Sequence, residues 1–379
     1  MEFRVTKEEE ELREKIRRIA NEYIKPRAKE IDETDDVTWD VIEKLAKEGI
    51  FRLVVPEAYG GITENVMATN VCIVREELSR VSSNADAVFA MQGLACYPLI
   101  LAGTEEQKKK YLPPLVNGEK LGAYALTEPQ AGSDVGNIQT EAVLDGDEYV
   151  LNGKKCFITN AAHAGIFIVF VKTNKEKGAR GISTFIVEKG TPGFRCSGIQ
   201  ELIAPHALGE LQFDNCRIPA ANLVGEVDKG FKIAMKTFDV YRTSVGACAL
   251  GFAQAAFDLA LGYAKERTAF GKRLDAFQVT RFKIADMAVD LDAARLLVYR
   301  AAWLKDSGAS RVTKEASMAK LFASEAANRI VDQSLQIHGS RGLLKGCEIE
   351  RLYRQVRGSR IYEGTSEIQR IVISGMILD

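Results

Sequence analysis

One carboxylate in the C-terminal part of the sequence stands where general-base chemistry would need it. Glu363 lies in the segment 360–370, RIYEGTSEIQR, directly before Gly364 and a predicted helix start. Ser366 and Gln369 have the spacing of a capping box, which predicts that start. In an apolar environment a carboxylate resists ionisation, so its pKa rises toward neutrality and it can remove a proton from a weakly acidic carbon. The alternative is a surface acid that merely precedes a helix.

Three further segments combine turn-forming, hydroxyl, aromatic and basic residues. Residues 124–134, YALTEPQAGSD, offer backbone N–H groups at Gly132 and a hydroxyl at the next residue, which suits phosphate or flavin oxygens. Residues 152–160, NGKKCFITN, place an aromatic, an aliphatic and a hydroxyl side chain on one strand. Residues 267–274, RTAFGKRL, followed by Gln278, could hold a pyrophosphate. Taken singly, these are equally well a connecting loop, an ordinary strand and a solvated basic face.

Asp86 is the one ionisable side chain in the otherwise small and apolar stretch 83–96, SNADAVFAMQGLAC. A carboxylate in such a helix costs several kcal/mol unless it is paired or protonated. Two interpretations stay open. Asp86 either caps the helix or faces solvent near its start, or it points into a substrate pocket as a second acid–base group.

Other classes of site lack their sequence signals. No GxGxxG follows a predicted strand and no GxxxxGK[ST] occurs, so a Rossmann or P-loop nucleotide site is unsupported. Seven cysteines without CxxC spacing and three isolated histidines argue against a metal cluster or a disulfide framework, and a reducing cytoplasm is the expected setting. With 51 basic and 52 acidic residues, the formal net charge of -1 does not favour nucleic acid. No apolar run is expected to reach the length of a membrane span.

The elements that must position these residues fall into three compositional regions. Residues 1–120 are predicted to form an N-terminal helical domain, residues 121–228 a middle antiparallel β domain, and residues 229–379 a C-terminal helical bundle. The hairpin signals Asp145-Gly146 and Asn152-Gly153 mark the middle domain. Helices are expected at about 39–48, ending at Gly49, and at 66–80, 84–102, 105–116, 231–267, 277–306, 313–338 and 365–378.

The first helix is predicted from apolar residues that recur on one face. Leu12, Ile16, Ile19 and Tyr23 are spaced by four, three and four positions. Pro26 is expected to end this helix, because a proline disfavours the helical conformation in the residue before it.

Taken together, the TEPxAGSD, ITN, RxxFGK and YEGTxEIQ patterns resemble the acyl-CoA dehydrogenase family, in the same order and over nearly the whole chain. The resemblance implies an α+β fold with an N-terminal helical domain, a middle antiparallel β domain and a C-terminal four-helix bundle. It also implies one FAD per subunit, a homotetramer built as a dimer of dimers, and electron-transfer flavoprotein as the electron acceptor.

The resemblance assigns roles by position. Glu363 corresponds to the base that takes the α-proton of an acyl-CoA thioester, while the flavin N5 accepts the β-hydrogen as hydride. The implied FAD contacts are Tyr124, Leu126, Thr127, Gly132, Ser133, Phe157, Ile158, Thr159, Arg267, Phe270, Gln278, Gln336, Ile337, Gly339, Thr365 and Glu367. The implied substrate contacts are Ser133, Asp239, Tyr241, Arg242, Tyr362 and Gly364.

Departures from the family pattern leave the substrate open. Phe157 stands where many members have tryptophan, Ser340 replaces a common glycine, and the loop 202–209, LIAPHALG, diverges from a Gly-x-Arg-x-Ser type. Tyr241 occupies the position at which some members carry the base, and tyrosine cannot replace that carboxylate. The substrate is either an alicyclic thioester of the cyclohexane- or cyclohexene-carboxyl-CoA type, with Asp86 as second acid–base group, or a short, medium or branched acyl-CoA with Asp86 structural.

Rival functions share parts of this pattern. A flavin acyl-CoA oxidase would share the fold and pass its electrons to oxygen. A redox-neutral lyase on the same scaffold would usually lack Glu363, and a non-catalytic thioester-binding protein would be expected to lose the FAD contacts.

Overall fold

The first third of the chain is helical in a computed structural model that describes residues 6–378. Thr6 begins the first helix with a reciprocal capping box, in which its hydroxyl accepts from the Glu9 amide and the Glu9 carboxylate accepts from the Thr6 amide. Six α-helices follow in order: α1 (Lys7–Ile19), α2 (Ala28–Asp32), α3 (Trp39–Lys47), α4 (Ala68–Ser79), α5 (Ser83–Ala102) and α6 (Glu105–Val116).

The predicted N-terminal helices are confirmed, with one change at Pro26. Ile16 and Ile19 are buried, as their shared helix face predicts, and Gly49 ends α3 with a left-handed φ of 73°. Pro26 does not stop the helical chain. It lies in the short 3₁₀ turn Lys25–Arg27, after a π-helical turn and before α2, where its missing N–H costs little.

The middle of the chain forms a seven-stranded sheet. Its strands are β1 (Gly122–Ala125), β2 (Glu141–Asp145), β3 (Glu148–Thr159), β4 (Ile166–Lys172), β5 (Ile182–Glu188), β6 (Phe194–Ile199) and β7 (Leu208–Pro219). The order is β1-β4-β2-β3-β7-β6, with β5 paired to β4. The sheet is mixed rather than wholly antiparallel, because β1 runs parallel to β4. Its core is apolar and aromatic, and includes Leu151, Phe167, Phe185 and Leu211.

Only one of the two predicted hairpin turns is a turn. The signal at Asp145-Gly146 does mark the β2–β3 hairpin, whose two turn residues are Gly146 and Asp147, between the paired Asp145 and Glu148. The Asn152-Gly153 prediction is wrong, because this pair lies inside β3 at a shift of register against β7. Gly153 has a φ of 144°, and a Cβ there would stand 2.5 Å from the Thr140 hydroxyl, so the glycine serves close backbone packing.

The last third of the chain is helical again. It contains α7 (Gly230–Glu266), the small hairpin β8 (Thr268–Ala269) and β9 (Lys272–Arg273), α8 (Gln278–Asp306), α9 (Thr313–His338), α10 (Glu348–Val356) and α11 (Ser366–Leu378). The four long helices match their predicted ranges. The short helix α10, which buries Ile349, Leu352 and Val356, was not predicted from the sequence.

By its internal contacts the chain forms two compact units. The helical unit comprises the described residues through Asp32, Met67–Asp86 and those from Asp239 onward. The β unit comprises Glu33–Val66 and Ala87–Phe238.

Two helices, α5 and α7, are long and apolar enough to cross a membrane by length and composition. The expectation that no apolar run has this length was therefore too strong. Of their most apolar 18-residue windows, 78% and 67% are buried within the protein, as in core helices of globular proteins.

Candidate active site

In the helical unit, Glu363 lies in a strained turn that leads into α11. Its φ is 54° and that of Gly364 is 90°, so two consecutive residues are left-handed. Such a conformation is unfavourable for a residue with a side chain and is typical of functional sites. A Cβ at Gly364 would lie 2.7 Å from Gln369 Nε2, so this position is restricted by packing as well as by φ.

The start of α11 differs in one detail from the predicted capping box. Thr365, not Ser366, is the capping residue, since its hydroxyl accepts a hydrogen bond from the Ile368 amide. The Ser366 hydroxyl donates to the carboxylate of Glu325 at 2.6 Å instead. The predicted helix start is thus correct and the predicted cap is one residue too late.

Long side chains hold the two carbonyl groups of the strained turn. Lys320 Nζ donates to the Gly364 carbonyl at 2.7 Å, and Gln369 Nε2 donates to the same oxygen at 2.9 Å. The Glu363 carbonyl accepts from Arg242 Nε and from Gln369 Nε2, each at 3.3 Å. The backbone of the turn is therefore fixed by donors from three helices. None of these hydrogen bonds engages the Glu363 carboxylate.

The electrostatic setting of Glu363 fits a base that works near neutral pH. The residue is partly exposed, but its Oε2 atom is enclosed and has no hydrogen-bond partner among the described residues. Burial raises the pKa of Glu363, as predicted from the sequence, while the positive charges of Arg75, Lys320 and Arg242 oppose the rise.

Asp86 forms a buried ion pair with Arg75. Its two carboxylate oxygens accept from Arg75 Nε at 2.9 Å and Arg75 Nη2 at 2.8 Å, and the guanidinium also donates to the Ser244 hydroxyl. Asp86 is 2% exposed, so the idea that it faces solvent is wrong. Burial alone would lower the pKa of Arg75, but the charge and hydrogen bonds of Asp86 hold it well above its usual value.

The residues assigned to the substrate occupy different environments in the helical unit. Asp239 is half-buried, accepts from the Thr313 hydroxyl at 3.1 Å, and has a pKa raised by burial. Tyr241 is fully buried on α7, whereas Tyr362 is 39% exposed beside Glu363. Arg242, one of the implied substrate contacts, donates from Nε to the Glu363 carbonyl.

In the β unit, hydrogen bonds from β3 hold the loop that follows β1. Lys155 is fully buried and donates to the Leu126 carbonyl at 3.0 Å and to the Glu128 carboxylate at 2.7 Å. The Cys156 amide donates to the Thr127 carbonyl. Burial lowers the pKa of Lys155 to about 8, against the opposing charge of Glu128. These contacts bring the predicted segments 124–134 and 152–160 together.

A bulge near the end of β3 presents Phe157 outward. The register against β7 shifts between Lys155 and Ile158, and Phe157 has a φ of 54° with 57% of its surface exposed. Its amide donates to the Gln200 side chain at 2.6 Å. A bulge of this kind re-aims a side chain, which suits an aromatic surface meant for a ligand.

Thr159 at the end of β3 contacts a histidine from the divergent loop 202–209. The Thr159 hydroxyl and His206 Nε2 are 2.9 Å apart. The His206 amide donates to the carboxylate of Asp35, which also belongs to the β unit. Ile158, between Phe157 and Thr159, is buried in the core.

The remaining residues assigned to FAD lie mostly at exposed positions. Tyr124 is half-buried and packs on Phe170, with ring centroids 4.8 Å apart, and Gly132 is exposed in a turn that Glu128 anchors through the Thr140 amide. Ile337 and Thr365 are partly buried. The following are exposed: Ser133, Arg267, Phe270, Gln278, Gln336, Gly339 and Glu367.

Several residues of the site were not found from the sequence. Arg75, Ser244, Lys320, Gln369, Lys155 and His206 each contact a predicted residue or the partner of one. For Lys320 a signal existed, because it is the one ionisable side chain in the small and apolar run 316–324, ASMAKLFAS. The same reasoning that singled out Asp86 would have found it.

The residues present fit a bound flavin. In the β unit, the outward Phe157 of the bulge and the partly buried Thr159 hydroxyl are features that a flavin would engage. In the helical unit, the buried, unpartnered Glu363 Oε2 atom is a feature that a substrate would engage. Within residues 6–378, no group of three or more His, Cys, Asp or Glu side chains could hold a metal ion.

Comparison with known proteins gives the family. The sequence matches the family models of the acyl-CoA dehydrogenase N-terminal domain over residues 6–119, the middle domain over 123–216 and the C-terminal domain over 228–378. The chain therefore belongs to the acyl-CoA dehydrogenase family. Its predicted enzyme class, an oxidoreductase with FAD as cofactor, is confirmed by this membership.

Individual relatives cover nearly the whole chain. A subunit of the caffeyl-CoA reductase–Etf complex of Acetobacterium woodii is 45% identical, over 92% of each chain. The cyclohexane-1-carbonyl-CoA dehydrogenase of Geobacter metallireducens is 40% identical, over 99% of each chain. The solved structure of butyryl-CoA dehydrogenase from Megasphaera elsdenii matches with a TM-score of 0.96 and 39% identity over 100% of both chains. The predicted fold of N-terminal helices, middle β domain and C-terminal helices is thus confirmed.

Proposed function

We propose that this enzyme dehydrogenates the α,β bond of an acyl-CoA thioester, with Glu363 as the base that takes the α-proton. The observation that carries the proposal is the buried, unpartnered Oε2 atom of Glu363, whose pKa is raised by burial and whose backbone is held in a strained turn. This combination suits a carboxylate that accepts a proton at working pH and releases it afterwards.

Several residues of the chain have separate roles in this proton transfer. The hydrogen α to a thioester is weakly acidic, so the base must be close and the developing enolate must be stabilised. Arg75, Lys320 and Arg242 limit the pKa rise of Glu363, which keeps a useful fraction ionised. FAD, when bound, supplies the hydride acceptor. The residues proposed to hold it are those that the resemblance assigned, among which Phe157 and Thr159 would face the flavin ring.

The decisive experiment is Glu363→Gln, which keeps the shape of the side chain and removes the base. We expect the variant to bind FAD and acyl-CoA, while anaerobic flavin reduction by substrate falls by several orders of magnitude. Glu14→Gln, at an exposed carboxylate on α1 that the resemblance assigns to neither FAD nor substrate, is the matched control for removal of a carboxylate. A Glu363→Gln enzyme that keeps most of its reduction rate would contradict the assignment.

For the substrate we propose a short, medium or branched acyl-CoA as the first candidate. The Arg75–Asp86 ion pair supports it, since both oxygens of Asp86 are already engaged by the guanidinium. The second candidate is an alicyclic acyl-CoA with Asp86 as the additional acid–base group, favoured by the relative from Geobacter metallireducens. Anaerobic bleaching of the bound flavin by a panel of butyryl-, octanoyl-, isovaleryl- and cyclohexanecarboxyl-CoA separates the two.

For the electrons we propose electron-transfer flavoprotein as acceptor, supported by the relative that is a subunit of an Etf complex. Turnover with an artificial acceptor and without peroxide excludes the oxidase alternative, whereas stoichiometric peroxide would favour it.

We also propose a homotetramer, the three-domain division at 120 and 228, and a cytoplasmic location. The location is supported by seven free cysteines.

A further inference from the structure

Lys320 is a fully buried cation in the middle of α9, and the reaction scheme above gives it no direct step. Its relative exposure is 0%, and small buried residues such as Ala316, Ser317, Ala319 and Ala323 surround it along the helix. Its ammonium group donates to the Gly364 carbonyl, and no carboxylate among the described residues is hydrogen-bonded to it. A cation buried in this way is costly, so its retention at this place calls for a role.

The backbone that Lys320 contacts is the strained part of the active-site turn. Glu363 and Gly364 are both left-handed, which is unfavourable for the residue that carries a side chain. The donors that hold this turn are Lys320 and Gln369 on the Gly364 carbonyl, and Arg242 and Gln369 on the Glu363 carbonyl. The shortest of these hydrogen bonds, at 2.7 Å, is that of Lys320.

We propose that Lys320 is a positioning residue for Glu363, which fixes the strained turn through the Gly364 carbonyl and favours the ionised carboxylate through its positive charge. This inference rests on the proposed function of Glu363. It assigns the lysine no contact with substrate or cofactor.

Charged groups from each neighbouring helix act on the same carboxylate. Arg75 on α4, Lys320 on α9 and Arg242 on α7 oppose the pKa rise of Glu363, and Asp86 at the start of α5 adds to it. The charge of Arg75 is largely offset by its ion pair with Asp86. Lys320 therefore supplies a favourable charge that no hydrogen-bonded carboxylate within residues 6–378 offsets.

Lys320 itself should titrate within the pH range in which enzymes work. Burial lowers its pKa to about 8, while Glu363, Glu325 and Glu367 oppose the shift and Arg242 adds to it. As pH rises through about 8, Lys320 loses its proton and the help it gives to the carboxylate. Because the two groups interact, each should record the titration of the other.

The experiment separates the hydrogen bond from the charge. Lys320→Gln offers an amide donor to the Gly364 carbonyl without a charge, and Lys320→Met offers neither. For Lys320→Gln we expect the acid limb of the pH–rate profile for flavin reduction to move up by about one pH unit. At pH values on this limb the rate should fall about tenfold. The rate on the alkaline plateau should change by less than about threefold. Lys320→Met should lose the plateau as well.

The matched control is Lys172→Gln. Lys172 is 4% exposed and donates to the Gly136 carbonyl within the β unit, so it is also a buried lysine that holds backbone. This variant should lower the thermal unfolding midpoint without moving the acid limb. If Lys320→Gln behaves in the same way, with lower stability and an unmoved limb, Lys320 is only structural and the proposal is overturned.

A measurement on the unmodified protein keeps the proposal testable even if the Lys320 variants fail to fold. Infrared difference titration of the FAD-bound protein, with Glu363→Gln as reference, reports the Glu363 carboxylate directly. We expect its band to shift a second time as pH passes about 8. An unshifted band overturns the coupling. A Glu363→Gln enzyme that still reduces its flavin overturns the proposed function instead, so the two failures are distinguishable.

Discussion

Both carboxylate oxygens of Asp86 are bonded to the guanidinium of Arg75, at 2.9 and 2.8 Å, and both side chains are buried. A bidentate ion pair of this kind is costly to break, because removal of one charge leaves the other buried and unpaired. It explains how a carboxylate is tolerated at the start of an apolar helix.

The first prediction concerns Asp86→Asn. If Asp86 is structural, the variant should lose about 3–5 kcal/mol of unfolding free energy, with the preference among acyl-CoA substrates unchanged. If Asp86 is an acid–base group, turnover of a cyclic acyl-CoA should disappear while linear substrates and FAD binding are spared. Urea unfolding together with the substrate panel distinguishes the two outcomes.

A second buried ion pair on α4 provides the control for this substitution. Glu77 is 2% exposed and binds Arg13 and Arg17 at 2.6 and 2.9 Å. Glu77→Gln should destabilise the protein and leave the substrate preference as it was. A preference that changes equally in both variants would show that the effect of Asp86 is general destabilisation.

The second prediction is that Glu363→Gln stabilises the fold at neutral pH. The folded pKa of Glu363 is raised above its unfolded value of about 4.3. The stability that this shift contributes is therefore fully present below about pH 4.3 and lost as pH rises through the folded pKa. A glutamine side chain is neutral at every pH and avoids the cost of burying a charge, so the variant should gain on the order of 1 kcal/mol at pH 8.

Denaturant unfolding of the flavin-free protein between about pH 5 and pH 8 measures this gain. The difference between variant and wild type should shrink as pH falls. Glu367→Gln, at an exposed position with a pKa lowered mainly by a backbone hydrogen bond, should show no such gain. A gain that is independent of pH would mean that Glu363 is not held against its ionised form.

The fold could be predicted from the sequence more fully than the site. Long helices are visible in the periodicity of apolar residues, and Gly49 and Asp145-Gly146 are local signals that need no partner. Asn152-Gly153 has the same local form but lies inside β3, because its packing against Thr140 and its pairing with β7 are long-range. The parallel pairing of β1 with β4 is equally non-local, which is why an antiparallel sheet was expected.

At the proposed site, sequence motifs named candidate side chains and missed the residues that contact and hold them. Glu363 was found from its motif, and its raised pKa followed from the expected burial. Lys320 stands 44 residues before Gly364 on another helix, and Ser244 lies 169 residues from Arg75. Contacts of this kind come from helix packing rather than from spacing along the chain. A lone charge in an apolar helix indicates that a partner exists without saying which residue it is.

The third prediction concerns the contact between Thr159 and His206. A threonine hydroxyl has one proton, so if it donates to a bound flavin it must accept from His206 Nε2, 2.9 Å away. His206→Ala should weaken that hydroxyl as a donor and lower the reduction potential of the bound flavin by about 10–30 mV, or about 0.5–1.4 kcal/mol for two electrons. Spectroelectrochemical titration measures the shift.

His163 is the control histidine, because it belongs to the same β unit and pairs with Asp36 at 2.8 Å. His163→Ala should leave the potential and the flavin spectrum unchanged. If the two histidine variants shift the potential equally, the Thr159–His206 contact has no specific influence on the cofactor.

The fourth prediction concerns the β8–β9 hairpin. Phe270 and Gly271 form its two-residue turn with φ values of 49° and 77°, and Phe270 is 95% exposed in the single chain. An aromatic residue is unfavourable both at a left-handed turn position and in water, whereas asparagine is common in such turns. The subunit alone should therefore tolerate Phe270→Asn without loss of thermal stability.

In the proposed tetramer the same change should be costly, because the resemblance places Phe270 against FAD, partly across a subunit boundary. We expect Phe270→Asn to weaken FAD binding by about tenfold, equivalent to about 1.4 kcal/mol, and to lower the tetramer fraction in sedimentation. Phe270→Tyr keeps the aromatic surface and should retain both properties. If Phe270→Asn sediments as a tetramer with its full flavin content, the hairpin does not belong to the cofactor site. The exposure of the Phe270 side chain would then have no explanation.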